Sequence, residues 1–173
     1  MISPWRLTTA RLVMTPVAPA DLPDLAALKA DPRAFAQMLG GVRSRLQAAE
    51  ELAADIQDWG RHGFGMWSVR ARAGGAFLGL IGLMHRADGR GVALRFALWP
   101  SARGAGLAME GASAALHYGH DQAGLPRIIA VAREDNFGSR MVLGAIGMAE
   151  TDRFLRDGIT LIVSESVRYQ NAR

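Results

Sequence analysis

Hydrophobic positions change their period several times along the chain, and the changes outline its elements. Arg11 to Val17 (RLVMTPV) is a short β-prone run. Leu22, Leu25, Ala26 and Leu28 then recur at helical spacing, with Asp21 as the cap and Asp31-Pro32 as the stop. Ser44 is placed to cap a second helix, Leu46 to Arg61. Leu46, Ala49, Leu52, Ala53, Ile56 and Trp59 form its apolar face, and Glu50, Glu51, Asp55 and Asp58 fall largely off it. Gly60 and Gly63 mark its end.

From Gly65 the spacing shortens. MWSVRAR, AFLGLIGLMHR and VALRFALW are separated by turn-rich GG and DGRG segments, the pattern of an antiparallel meander. Leu107 to Gln122 reads as a helix rich in small residues, which allow close packing on a sheet, and Gly124 ends it. A strand from Arg127 to Ala132, a helix from Phe137 to Ile146 closed by Gly147, and two strands around Arg153 and Leu161 to Val167 complete the order βααβββαβαββ. No repeat or low-complexity linker divides this pattern, so residues 1–173 are expected to form one mixed α/β (α+β) domain.

Composition narrows the chemistry. With 173 residues and no cysteine, the chain has no disulfide, thiolate zinc site, iron–sulfur cluster or cysteine nucleophile. A chain of this length buries roughly 70% of its unfolded surface, enough for a core without crosslinks. The longest apolar stretch, Ala76 to Met84, is about half a bilayer span, and the N-terminal MISPWRLTTARL lacks the continuous apolar region of a secretory signal. A cytoplasmic location is therefore expected. The net charge of +4 comes from scattered arginines without a run of three adjacent basic residues, which disfavours nucleic acid as a partner. Lys29, the only lysine, falls near the end of a leucine-patterned helix, an unpromising place for Schiff-base chemistry.

The passage richest in chemistry is LWPSARGAGLAMEGA, Leu98 to Ala112, in which a strand enters a glycine-containing loop and then directly a helix. Gly104 and Gly106 permit close approach to bare backbone N–H groups, and the helix start aims its positive dipole end outward. A phosphate or pyrophosphate is the natural ligand, with Arg103 as a charged donor. No Lys-Ser or Lys-Thr follows the glycines, and Met109 replaces the third glycine of a dinucleotide fingerprint, so the P-loop and dehydrogenase readings fall away.

The loop resembles the acetyl-CoA pyrophosphate loop of the GNAT acetyltransferase superfamily, Arg/Gln-x-x-Gly-x-Gly/Ala, with Arg103, Gly106 and Ala108 at the matching positions. The wider order of L-W-P-x-x-R-G-x-G-L-A-x-E, then G-L-P-R-I, Asn136-x-x-Ser139 and Gly147-Met148, together with the opening LTTARLVMTPVAPADLPDL, is similar to the RimJ/RimL branch. The resemblance implies a central, mostly antiparallel twisted sheet of about seven strands, flanked by about four helices. Its fourth and fifth strands, here Val92 to Trp99 and Arg127 to Ala132, would splay apart to admit the pantetheine arm.

The resemblance further implies acetyl transfer from acetyl-CoA to a primary amine, either a protein N-terminal α-amine or a small molecule, with no metal. Leu98, Trp99, Arg103, Gly104, Ala105, Gly106, Leu107, Ala108, Asn136 and Ser139 would bind the donor. A backbone N–H around Leu98 or Trp99 would polarise the thioester, and Ser139 would lie near the sulfur. Asn136 is equally placed to cap a helix. The family's frequent glutamate and tyrosine are replaced by Ala93 and Leu143, leaving Arg95 on the strand face that Ala93 shares. The base is thus unassigned among His85, His117, His120, Glu110, Glu134, Asp135 and a water chain, and a CoA-binding module without turnover is the alternative. The absence of cysteine excludes an acetyl-cysteine enzyme and points to direct attack in a ternary complex. A homodimer is left open.

Overall fold

A computed structural model describes residues 1–168. The strands are β1 (Leu7–Thr8), β2 (Leu12–Pro16), β3 (Met66–Ala71), β4 (Phe77–His85), β5 (Val92–Leu98), β6 (Arg127–Arg133), β7 (Ala149–Arg156) and β8 (Ile159–Val167). They form one sheet in the order β1-β2-β3-β4-β5-β6-β8-β7. All neighbours are antiparallel except β5 and β6, which run parallel and register only at Ala93 and Ile129. Past that point the two strands diverge, giving the expected splay between the segments Val92–Leu98 and Arg127–Arg133.

The helices are α1 (Leu22–Ala30), α2 (Pro32–Phe35), α3 (Arg45–His62), α4 (Leu107–Asp121) and α5 (Phe137–Ala145). Eight strands and five α-helices replace the expected seven and four. The added strand is the two-residue edge β1, too short to carry an alternating pattern. The added helix arises because Asp31-Pro32 restarts the chain: Asp31 Oδ1 accepts from Arg33 N at 2.9 Å, and proline suits the first helical turn. Asp21 does not cap α1 with its side chain; it accepts from Ala18 N and anchors the turn before the helix.

Small residues bring α4 against the sheet as expected. A Cβ on Gly111 would lie 2.4 Å from Ile81 Cδ1, and one on Gly119 would lie 2.5 Å from Ile128 Cδ1. The face of α3 departs from its apolar pattern. Ser44 and Gln47 form a reciprocal capping box, but Leu46 and Ala53 are exposed, and Ala48, Leu52 and Trp59 are the buried positions. The turn of the helix brings Glu51 toward Lys29 and Arg43, which have no other carboxylate within ion-pair distance among the described residues. Lys29, 2% exposed, places Nζ 2.5 Å from Glu51 Oε2. No helix among the described residues is long and apolar enough to cross a membrane.

Candidate active site

The loop between β5 and α4 follows from its glycines. Gly104 and Gly106 have φ of +85° and +77°, a left-handed conformation that other residues adopt at a cost. Gly106 is the N-cap of α4 and supplies no capping side chain, and the first bond back to its carbonyl comes from Glu110 N at 3.0 Å. The N–H groups from Gly104 to Met109 consequently have no hydrogen-bond partner among the described residues. They form a concentrated set of donors at a helix positive end, the arrangement that binds phosphate oxygens.

Glu110, one of the candidate bases, has a different task. Its carboxylate accepts from the Thr9 hydroxyl at 2.5 Å, Arg11 N at 2.8 Å and Arg11 Nε at 2.7 Å, while Arg11 Nη1 donates to Ala105 O at 2.7 Å. Burial raises the carboxyl pKa, but these hydrogen bonds together hold it below its ordinary value. Glu110 and Arg11 thus clasp the loop to the segment before β2. Sequence periodicity carried no sign of this pairing, because the two residues are 99 positions apart.

Two adjoining cavities open between the diverging strands. The larger, about 590 Å³, is lined by the Arg103–Met109 loop, Phe96 to Leu98, the segment from Pro32 to Met38, and α5. The smaller, about 190 Å³, lies nearer the Ala93–Ile129 pairing point, and Asn136, Ser139 and Phe96 line both. Of the residues expected to bind the donor, Leu98, Arg103, Gly104, Gly106, Leu107, Ala108, Asn136 and Ser139 come together at the larger cavity. Ala105 and Trp99 do not line it.

Strand alternation explains the exclusion of Trp99. Its N–H donates to Leu78 O at 2.9 Å, continuing the β4–β5 ladder, and its side chain packs against the buried cluster containing Leu25, Leu28, Leu52 and Leu80. Because N–H groups alternate along a strand, that of Leu98 faces the opening toward β6. Asn136 caps α5 by accepting from Ser139 N at 3.2 Å, and the Ser139 hydroxyl has no hydrogen-bond partner among the described residues. Arg103 is exposed and donates to Arg33 O at 3.2 Å. Leu143 closes α5 from within: Gly147 N and Met148 N bond back to Gly144 O and Leu143 O, and Leu143 and Met148 are both buried.

The other candidate bases stand apart. His85 packs with His62 and Phe64; His117 bonds to Ser113 O; His120 bridges Leu125 O and the Ser166 hydroxyl. Glu134 pairs with Arg153, and Asp135 with Arg133. None of these, nor Glu110, lines either cavity. Among the described residues the one carboxylate that does, Asp88, is held below its ordinary pKa chiefly by hydrogen bonds from Arg86.

On α3, burial pushes the Asp55 carboxyl up to about 6, with Glu51 and Asp58 adding to the rise and Lys29 and Arg95 opposing it. A raised folded pKa means that the native state binds the proton more tightly than the unfolded chain, so this group's contribution falls as pH rises from about 4 through 6. Asp55→Asn is expected to flatten that decline and to gain on the order of 2 kcal/mol at pH 7.5. Parallel stability curves for the two proteins in denaturant titrations between pH 4 and 7.5 would contradict the assignment.

Comparison with known proteins agrees with this geometry. A family model described as an acetyltransferase (GNAT) domain matches residues 11–149. The chain is similar to the crystal structure of an acetyltransferase from Agrobacterium tumefaciens, with a TM-score of 0.85, 25% identity and 97% of each chain covered. It is also similar in fold to an acetyltransferase from Salmonella typhimurium that modifies the N-terminal serine of the 50S ribosomal protein L7/L12 (TM-score 0.79, 15% identity, 93% of this chain and 97% of that one). RimL, a ribosomal L7/L12 α-N-protein acetyltransferase solved in complex with coenzyme A, has a TM-score of 0.76 at 14% identity, over 93% of this chain and 96% of that one. No curated protein matches the chain by sequence. A match over most of the length, joined to a splayed strand pair and an uncapped glycine loop, establishes that the chain belongs to the GNAT acetyltransferase family, acyltransferases whose general donor is acetyl-CoA.

Proposed function

We propose that the protein transfers the acetyl group of acetyl-CoA to a primary amine, and that the RimJ/RimL branch is its nearest functional setting. The observation that carries this reading is the row of unpartnered N–H groups from Gly104 to Met109 beside the opening onto which Leu98 N–H faces. The residues fit the donor. The loop binds the pyrophosphate, Arg103 adds charge at its rim, and Asn136 and Ser139 meet the pantetheine end.

Acetyl-CoA supplies an activated thioester. The amine nitrogen bonds to the acyl carbon, the carbon–sulfur bond breaks, one proton leaves the amine and one reaches the thiolate. Leu98 N–H is the donor for charge developing on the acyl oxygen, and the Ser139 hydroxyl, on the wall of the same cavity, is the proton source for the thiolate. With Leu143 buried at the closed end of α5, no phenol serves there. Proton removal falls to water, since no lining carboxylate has a raised pKa. The amine must then arrive as the free base, as an α-amine with pKa near 8 partly does at pH 7.

Acetyl-CoA at about 100 times its dissociation constant should stabilise the fold by roughly 2.7 kcal/mol, read as a rise in Tm. CoA release with an amine panel then separates an enzyme from a module that only binds CoA. Initial-rate lines should intersect, as direct attack requires, and the acid limb of kcat/KM should move with the pKa of each acceptor amine. Parallel lines would overturn direct attack, and a limb fixed across acceptors would overturn the water route.

A further inference from the structure

The smaller cavity has four arginines among its lining residues, Arg86, Arg95, Arg133 and Arg156, against one carboxylate, Asp88. Three of the four have carboxylate neighbours: Arg86 with Asp88, Arg133 with Asp135 at 2.9 Å, and Arg156 with Asp157 at 3.9 Å. Arg95 differs. No carboxylate lies within ion-pair distance of it among the described residues, its Nη1 meets only the Met84 sulfur at 3.7 Å, and its buried Nη2 has no hydrogen-bond partner. Its guanidinium carbon lies 5.7 Å from the Phe35 ring centroid.

Such a group is expensive to keep in a protein unless something completes it. A guanidinium retains its charge at any physiological pH, and each buried N–H without an acceptor forfeits its hydration. Burial lowers the Arg95 pKa; Glu51 and Asp55 act in the opposite sense, and Arg43 and Arg86 add to the lowering. Glu51 is already bonded to Lys29 and Arg43, and neither Glu51 nor Asp55 lines the cavity. The acceptor side therefore has one lining guanidinium without a carboxylate partner. A carboxylate supplies the missing acceptor, and its single charge matches a single guanidinium. The volume, about 190 Å³, is below the roughly 300–1,000 Å³ of drug-sized sites, so the occupant is small.

We propose that the smaller cavity is an anion subsite, that the amine acetylated by this protein is a small molecule bearing a carboxylate, and that Arg95 binds that carboxylate. This deepens the acetyltransferase reading and rests on it. A polycationic amine is disfavoured by the same arginines.

The test compares amino acids with their carboxamides as acceptors, following CoA release by the full chain, with a polyamine and a neutral peptide as further arms. The carboxamide has the less basic amine and hence more free base, so the intrinsic bias runs against the proposal. The expected result is at least one amino acid with kcat/KM tenfold or more above its carboxamide and above the other two arms. Arg95→Gln should remove at least tenfold of that preference, mainly through KM, and should retain the acetyl-CoA-induced rise in Tm. Arg95→Lys should recover part of it. Carboxamides, polyamine or peptide as effective as every amino acid, or no turnover of any amino acid by a chain that acetyl-CoA stabilises, would overturn the proposal on the native protein alone. An unchanged preference in folded Arg95→Gln would do the same. If acetyl-CoA produces no rise in Tm, the acetyl-CoA reading itself fails.

Discussion

Gly106→Val is expected to abolish acetyl-CoA binding while the protein stays folded. At φ +77° Gly106 occupies the left-handed region, where a β-branched residue is a steric outlier. Holding valine there costs roughly 1–3 kcal/mol, and the loop escapes the strain by relaxing toward extended backbone. Packing is not the obstacle: a Cβ would meet only Arg11 Nη2, at an ordinary 3.6 Å. The damage comes from the backbone rotation, which turns the adjoining N–H groups at the start of α4 away from a common focus. We expect affinity to fall at least a hundredfold, so that the rise of roughly 2.7 kcal/mol at 100 times the native dissociation constant nearly vanishes. Gly124→Val is the control. It places the same residue at φ +70°, beyond the far end of α4, and should lower Tm yet keep the response to acetyl-CoA. Full binding by folded Gly106→Val would refute the placement of the pyrophosphate.

The strand and helix order and the glycine loop are legible because each has a local signature, a period, a breaker or a short motif in fixed order, whereas the splayed pair is implied only by the family resemblance. Long-range pairings have none. The clasp of Arg11 and Glu110 joins the segment before β2 to the start of α4 through side chains whose local context predicts only a favourable helix start for the glutamate. The choice between Leu98 and Trp99 as the free N–H depends on the phase of the β4–β5 ladder, which hydropathy leaves open because both faces of β5 are largely apolar. The α3 face departs from its apolar pattern for a related reason. An apolar count places Leu46 and Ala53 inward, whereas the ion pairs with Lys29 and Arg43 draw Glu51 toward the interior. The sequence shows Arg95 only as the residue left on the strand face where Ala93 departs from the family pattern, and its unpartnered Nη2 is a property of the packed protein.

The lone lysine is the other residue whose role emerges only on packing, and breaking its pair should produce the largest loss of stability. Lys29 Nζ and Arg43 Nε each lie 2.5 Å from a different oxygen of Glu51, with Lys29 2% and Arg43 12% exposed. Arg43 also donates to Leu39 O at 2.9 Å, so it keeps a partner if the carboxylate goes. Lys29 has no such second hydrogen bond among the described residues. Glu51→Ala therefore strands a buried ammonium, and the expected cost is about 3–5 kcal/mol, or roughly 10 °C in Tm. The double variant Lys29→Met, Glu51→Gln should recover most of that loss, because methionine fills the lysine's space without charge and glutamine still accepts from Arg43. Despite the opposing effect of burial, hydrogen bonds from Lys29 and Arg43 lower the Glu51 pKa. Its contribution is thus complete above the ordinary carboxylate range and is lost as pH falls through the lowered value, so the penalty of Glu51→Ala should shrink on acidification. The effect reaches the site. Glu51 ties α3 to the end of α1, from which α2 leads into the wall of the larger cavity, and to Arg43, whose bond to Leu39 O steadies a residue lining the smaller one. A folded Glu51→Ala protein should accordingly show a raised KM for the acceptor as well as a lowered Tm. A loss below about 1 kcal/mol, the size of an exposed ion pair, would show that Lys29 finds water or another partner instead.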